Sequence, residues 1–200
     1  ADLILRVPVA AFDGRVGATD AMLHRLVRER LLERQTNAPQ VRAVLVLDAE
    51  GNVILDSASA MPRQFNAADR EYFVVHRSRS DVGLYVGAPV MSRLSGQWVI
   101  SLSRRINKPD GSFAGVAVMA LDPQYFIEFH STLYAAADAS ISLYREDGTL
   151  LTRYPARGKG PASAQPDAEA LVRSLPSGAM PTIHRSVSQS DGIERLRAHM

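Results

Sequence analysis

Two hundred residues, 46% apolar and 22% charged, suit an ordinary globular chain with length enough for one large domain or two small lobes. Twenty-three basic residues against 21 acidic ones leave a net charge of only +2, too weak a footprint for a nucleic-acid binder. The absence of cysteine excludes a disulfide framework and a thiolate metal site, and it fits an oxidising compartment.

Leu3, Val7 and Ala11 recur every four residues between Ala1 and Phe12, the spacing of a helix tail kinked at Pro8. Gly14 and Gly17 interrupt it. Thr19 then caps a second helix to about Gln35, with Leu23, Leu26, Val27 and Leu31 on one stripe. That stripe covers a sheet, pairs a helical stem with a second copy, or does both. Arg25, Arg28, Arg30 and Arg34 are interleaved with Glu29 and Glu33, which makes a self-neutralising solvated face.

Val41–Leu47 and Val53–Leu55 read as a hairpin around Asp48-Ala49-Glu50-Gly51-Asn52. A loop through Pro62 leads to a helix over 66–76, with Asn66 as its cap, Asp69 and Glu71 in its first turn, and Ala68, Tyr72 and Val75 on one face. Three strands follow, Leu84–Val90, Gln97–Ile106 and Phe113–Leu121, joined by turns at Ser95-Gly96 and Lys108-Pro109-Asp110-Gly111. In the second, Trp98, Ile100 and Leu102 face one way, and Val99, Ser101 and Ser103 the other. Val116 to Met119 are apolar on both sides, the mark of a central strand. Pro123–Leu133 reads as a helix leading out of the first lobe.

From about Ala139 the pattern repeats. Gly148, between Ile141-Ser142-Leu143 and Leu150-Leu151, lies 97 residues after Gly51 in its hairpin. Gly192, before Ile193, lies 96 residues after Gly96. Two matches at nearly one offset argue for a duplicated unit. Between them, Pro155–Pro166 reads as a loop and Asp167–Leu175 as a short helix. Nothing up to Met200 matches the strand Phe113–Ala120. The second lobe is therefore expected to be smaller and less stable, with an incomplete sheet or a natural end beyond Met200.

No Gly-x-Ser-x-Gly elbow, phosphate-binding loop or His-Glu-x-x-His helix is present, so no catalytic residue is assigned. His24, His76, His130, His184 and His199 lack ligand spacing, so no metal or other cofactor is expected. No stretch approaches the ~20 apolar residues of a membrane span and no signal peptide opens the chain, so a membrane-receptor parent would make this an excised soluble part. A binding pocket is the better reading. Arg70 offers a planar fork that matches a carboxylate, and Tyr72, Phe73 and His76 stand near it in sequence. The alternative is that Arg70 only pairs with Asp69 or Glu71 on the surface. His76 serves equally as a packing residue.

Asp69-Arg70-Glu71-Tyr72-Phe73, the strand at Pro89, Ser95-Gly96-Gln97-Trp98, Ser103-Arg104-Arg105-Ile106 and Asp110-Gly111-Ser112-Phe113-Ala114-Gly115-Val116 carry a family resemblance. Together they resemble the membrane-distal half of the double PDC, or dCache, PAS-like sensor domains of bacterial histidine kinases, diguanylate cyclases and chemoreceptors. The resemblance implies an α+β fold: an N-terminal helical stem over 1–37, a membrane-distal PAS-like lobe over 38–136, and a truncated membrane-proximal lobe over 137–200. Each lobe would be an antiparallel sheet flanked by helices.

The resemblance also implies a periplasmic ligand-sensing domain of an inner-membrane signal transducer, a histidine kinase first, with diguanylate cyclase or chemoreceptor as alternatives. Its partners would be a small-molecule ligand, a second copy through the N-terminal helices, and a cytoplasmic output domain of the same chain. In the family the pocket lies between the helix equivalent to 67–77 and the sheet. Amino-acid-sensing members place an arginine and aromatics on that helix, which Arg70 and Tyr72 match. They add acidic residues for the ammonium group where this chain has Ser92 and Ala120, a departure that favours a small carboxylate or another anion. Ser92, Ser101 and Ser103 could donate hydrogen bonds to it, or face solvent, and Tyr85 on the following strand completes the candidate set. The rivals are a ligand-free dimerising spacer of the same fold and a hydrolase on another α+β fold.

Overall fold

The computed structural model describes residues 2–12, 21–59, 61–133, 140–155, 182–187 and 194–199. The chain divides into two compact units, Ala1–Phe126 and Ile127–Met200.

In the first unit, helices α1 (Asp2–Phe12) and α2 (Ala21–Thr36) precede a hairpin of β1 (Val41–Leu47) and β2 (Val53–Asp56). Helix α3 (Glu71–Ser78) is followed by β3 (Leu84–Val86), β4 (Val90–Met91), β5 (Trp98–Asn107) and β6 (Phe113–Leu121). The sheet is antiparallel with strand order β2-β1-β6-β5-β3, and β4 also pairs with β5. The apolar run Val116–Met119 is buried on both faces of the central strand, as expected. A side chain at Gly115 would place Cβ 2.0 Å from the Leu47 carbonyl oxygen, so only glycine lets β6 close against β1 here.

The two faces of the sheet carry different partners. On one, Arg104 Nε meets the Asp2 carboxylate of α1 at 2.6 Å. Ile4, Leu5, Pro8 and Phe12 are the buried residues of α1. On the other face, Leu45, Leu47, Val116 and Val118 pack with Ala67 and Phe73. Phe73 meets Phe113 edge-on, with ring centroids 5.4 Å apart. The C-terminal end of α2 is pinned to the sheet by Gln35, whose Nε2 donates to the Val41 and Arg42 carbonyls at 2.9 and 3.0 Å. Ser57 Oγ donates to Gln35 Oε1 at 3.1 Å and accepts the Val44 N–H at 2.9 Å.

Several sequence expectations change. In α1 the buried stripe is not Leu3-Val7-Ala11; Leu3 is 68% exposed, because the sheet lies against the adjacent face. In α2 Val27 and Leu31 are buried but Leu26 is exposed. The Asn66 helix starts later than expected, at Glu71, with Arg70 in extended conformation at its cap. Asn66 is used elsewhere: its amide donates to the Glu50 carbonyl at 3.0 Å and to Asn52 Oδ1 at 2.9 Å, tying this segment to the β1–β2 turn. Asp69 therefore precedes the helix. The strand 84–90 breaks into β3 and β4 around Ala88-Pro89, where proline cannot donate to a ladder. Ser101 and Ser103 are buried rather than facing solvent, whereas Trp98 is exposed.

Helix α4 (Pro123–Thr132) has Asp122 at its cap, where Oδ1 accepts the Gln124 N–H at 2.9 Å, and proline in its first position. The second unit contains two antiparallel pairs, β7 (Ile141–Tyr144) with β8 (Leu150–Tyr154) and β9 (Thr182–Val187) with β10 (Glu194–His199). The expected interruption at Gly14 and Gly17, the Thr19 cap, the loop beyond Pro155, the helix 167–175 and the turn at Gly192 lie outside the described residues.

Candidate functional site

Odd-numbered positions of β1 and β5 and even-numbered positions of β6 share one face of the sheet, because Ser101 pairs with Ala120, Ala43 with Ala120 and Leu45 with Val118. Ala43, Leu45, Val99, Ser101, Val118 and Ala120 form the floor of a cavity of about 330 Å³ in the first unit. Arg63, Phe65, Arg70 and Tyr72 wall it from the segment before α3 and from α3 itself, and Val90, Ser92, Arg93, Leu94, Ser95 and Gln97 from the β4–β5 hairpin. A smaller cavity of about 180 Å³ shares Arg70, Tyr72, Val90, Arg93 and Ser101 with it and adds Asp69, Glu71 and Ala88.

Four arginines line the larger cavity, Arg42, Arg63, Arg70 and Arg93, and no acidic residue lines it among the described residues. Three of the four have carboxylate partners: Arg42 with Asp122 at 2.7 Å, Arg63 with Asp56 at 2.5 Å, and Arg93 with Asp69 at 2.7 and 3.0 Å. The expected alternative for Arg70, a surface pair with a neighbouring acid, is not what forms. Asp69 is taken by Arg93, and Glu71 accepts a hydrogen bond from Tyr85 Oη. Arg70 makes one long hydrogen bond, from Nη2 to the Met91 carbonyl at 3.4 Å, near the limit at which such a bond counts. It is half-buried at the start of α3, and among the described residues no salt bridge compensates its charge.

The Arg93 hydrogen bonds hold the Asp69 carboxyl below its usual range, so the pair stays ionised at neutral pH. Burial pushes the Tyr72 phenol up to about 12, so it stands at the cavity as a neutral hydroxyl. Ser92 Oγ is occupied locally, accepting the Leu94 and Ser95 N–H groups at 3.2 and 3.3 Å, and so shapes the hairpin that closes the cavity.

Of the seven residues expected from sequence, Arg70, Tyr72, Ser92 and Ser101 meet in this cavity, and His76, Tyr85 and Ser103 do not line it. The latter three meet one another beneath α3. His76 and Ser103 are fully buried and share a hydrogen bond of 3.0 Å, and the Tyr85 ring stands edge-on to the imidazole at 6.3 Å. Arg105 Nη1 donates to the His76 carbonyl, and its guanidinium lies 4.8 Å from the Phe113 ring centroid. This group fixes α3 on β5. Burial pushes the His76 imidazole below its ordinary value, and its Nδ1 has no hydrogen-bond partner. No cluster of His, Asp and Glu that could hold a metal occurs among the described residues.

Sequence reasoning missed Arg42, Arg63 and Arg93. For the first two a signal existed. Neither has an acid within four residues on either side, so each needs a partner brought by the fold or by a ligand. The lining by Arg93 depends on the turn between β4 and β5, which their pairing of Val90 with Val99 and Met91 with Trp98 sets beside the cavity.

The extracellular domain of rpHK1S-Z16, a protein assigned to the histidine kinases, is similar at 31% identity and a TM-score of 0.78, over 98% of this chain and 78% of that one. The ligand-binding domain of the Pseudomonas fluorescens chemoreceptor CtaA, solved with L-serine, shares the fold at 20% identity and a TM-score of 0.61, over 98% and 78% of the two chains. That of the Campylobacter jejuni chemoreceptor Tlp3, solved with 4-methylisoleucine, does so at 15% identity and a TM-score of 0.52, over 77% and 57%. No curated protein matches the chain. A dCache-like family model described as a histidine kinase sensor domain matches residues 123–200, the part of the chain that follows the cavity-bearing sheet. With the 31% identity across almost its whole length, the chain belongs to the dCache family of extracellular sensor domains of histidine kinases and is a sensing part, not a catalytic one.

Proposed function

We propose that this domain senses a small carboxylate in the larger cavity, with Arg70 as its principal anchor. The observation that carries the reading is the guanidinium without a salt bridge: three cavity arginines are matched by Asp122, Asp56 and Asp69, and among the described residues Arg70 has no acid paired with it, only the long bond to the Met91 carbonyl. A carboxylate on Arg70 would complete a bidentate charge-assisted pair in a partly dehydrated site. Tyr72 and Ser101 stand in the same cavity as hydroxyl donors, and Leu45, Phe65, Val99 and Val118 offer an apolar wall to the rest of the ligand. The chemoreceptor domains of CtaA and Tlp3 were solved with amino acids. Here Ser92 and Ala120 line the larger cavity and, among the described residues, no acid does; the nearest carboxylates, Asp69 and Glu71, line only the adjoining smaller cavity and are engaged by Arg93 and Tyr85, which disfavours an α-ammonium group.

In this reading residues 1–37 form the stem, 38–136 the membrane-distal lobe and 137–200 the membrane-proximal lobe of an inner-membrane histidine kinase. The domain dimerises through its N-terminal helices, and occupancy of the cavity shifts their packing to bias a cytoplasmic output domain of the same chain. Disulfide crosslinks placed along 23–31 would form at different rates with and without ligand. Identical rates would remove the stem from the mechanism.

The direct test is a thermal-shift screen of the domain against small carboxylates, amino acids and other metabolites, repeated on Arg70→Ala. A ligand at ~100 times its Kd adds about 2.7 kcal/mol of stability. A carboxylate shift that vanishes in Arg70→Ala supports the reading. A shift that survives moves the site elsewhere, and a screen without any shift favours a ligand-free dimerising spacer.

A further inference from the structure

We infer that Arg63, set in place by the buried carboxylate of Asp56, is a second ligand-contacting residue of the larger cavity, and that it selects carboxylates bearing an uncharged oxygen acceptor, a hydroxyl or a carbonyl. This selection acts on a ligand already held at Arg70, and so rests on that reading of the cavity.

Asp56 ends β2 and is 1% exposed, a costly place for a carboxylate unless it is paired and hydrogen-bonded. Both conditions are met. Oδ1 accepts the Ala58 N–H at 2.9 Å, and Oδ2 accepts Arg63 Nε at 2.5 Å. A guanidinium carries five N–H donors, and one gripped through Nε keeps both terminal amino groups for another partner. Arg63 lines the cavity and its side chain remains 35% exposed, so those groups are available to a ligand there.

The charge balance decides what the fork receives. Arg42, Arg63 and Arg93 are each compensated by a carboxylate, which leaves the single charge of Arg70 for one anionic group. A second carboxylate at Arg63 would meet a guanidinium already neutralised, with Asp56 directly behind it. A hydroxyl or carbonyl oxygen takes the same hydrogen bonds without that repulsion.

The test is isothermal titration of the full 200-residue chain with acids of equal carbon number: an unsubstituted monocarboxylate, its hydroxy and oxo derivatives, and the dicarboxylate. The hydroxy or oxo acid is expected to bind roughly three- to tenfold tighter than the plain acid, the size of one neutral hydrogen bond. Because Arg63→Ala alone strands a buried carboxylate, the variant of choice is Asp56→Asn with Arg63→Ala, which keeps the interior neutral and an acceptor for Ala58. In it the preference should disappear, the hydroxy or oxo acid falling to the affinity of the plain acid measured on the same variant. A preference that persists in the double variant overturns the inference, as does a dicarboxylate that binds tightest of the series. If no acid binds the unaltered chain, or all binding survives Arg70→Ala, it is the carboxylate reading that falls, and that outcome is distinct from loss of the preference alone.

Discussion

Removing Arg63 should destabilise the first unit far more than its half-exposed position suggests. Breaking a buried ion pair by deleting one partner costs about 3–5 kcal/mol, since the other charge stays behind without solvent. Asp56 is 1% exposed and keeps only the Ala58 N–H when Arg63 is truncated. Because the Arg63 side chain is 35% exposed, water entering its space will partly solvate the carboxylate, which points to the lower end, about 3 kcal/mol. Asp56→Asn should cost about 1 kcal/mol, since Arg63 then keeps a neutral acceptor and turns its charge to the cavity. The double variant should cost about 1–2 kcal/mol rather than the sum, a coupling of about 2–3 kcal/mol. Urea unfolding followed by circular dichroism measures all three. With m near 2 kcal/mol/M, Arg63→Ala should lower the midpoint by about 1.5 M at unchanged m. A shift below about 0.5 M, or strict additivity in the double variant, would show that Asp56 does not depend on Arg63.

Three further outcomes are expected. Phe73→Ala, at a fully buried ring packed edge-on against Phe113, should cost about 3–5 kcal/mol in urea unfolding; a loss under about 1 kcal/mol would mean that α3 does not lean on this ring. Asp69→Ala should leave the urea midpoint nearly unchanged, because both partners of its ion pair with Arg93 are more than half exposed, and a clear fall in the midpoint would refute the surface-pair description. His76 should make stability pH-dependent. Burial holds its folded pKa below the unfolded value, so the stability is fully present above the unfolded imidazole range and is lost as pH falls through that range toward the folded value. Urea midpoints from pH 8 to 5 should decline in the unaltered chain and decline less in His76→Gln, with His130, also pushed down by burial, accounting for part of the remainder. Parallel profiles would rule out a contribution from His76.

Legibility from sequence followed the range of the interaction concerned. The hairpin at Gly51, the turns at Gly96 and Gly111 and the central strand 116–119 were readable because a turn residue or a local run of one period specifies each. The start of α3 was misread because Asn66 makes a good local cap but spends its amide on Glu50 and Asn52, residues far away in sequence. The α1 stripe failed for a similar reason: with Leu3, Ile4, Leu5 and Val7 all apolar, the pattern admits two faces and only the sheet selects one. At the site, Arg70 and Tyr72 were legible as residue types. That Arg70 alone among the cavity arginines lacks an acid among the described residues depends on three pairs formed across turns or strands, at separations from seven residues to eighty, none of which local spacing displays.

The hairpin that recurs in both units separates what its pairing requires from what the site requires. Leu45 pairs with Asp56, Val46 with Leu55 and Leu47 with Val53; 97 residues later Ser142 pairs with Arg153, Leu143 with Thr152 and Tyr144 with Leu150. The turns agree bond for bond. The Asp48 N–H reaches the Asn52 carbonyl at 3.0 Å and the Arg145 N–H that of Thr149 at 2.9 Å, while Gly51 and Gly148 both adopt positive φ, +89° and +86°. Backbone geometry of this hairpin is therefore preserved between the copies. At the position of Asp56, however, the second copy has Arg153, whose Nη1 approaches Ser142 Oγ at 3.5 Å. A buried acid that orients an arginine toward a cavity is thus present in the first copy and replaced by a base in the second. Hairpin pairing tolerates either residue, so the pairing itself does not demand the acid. In the proposed carboxylate reading, this difference sets the first unit apart as the ligand-binding one.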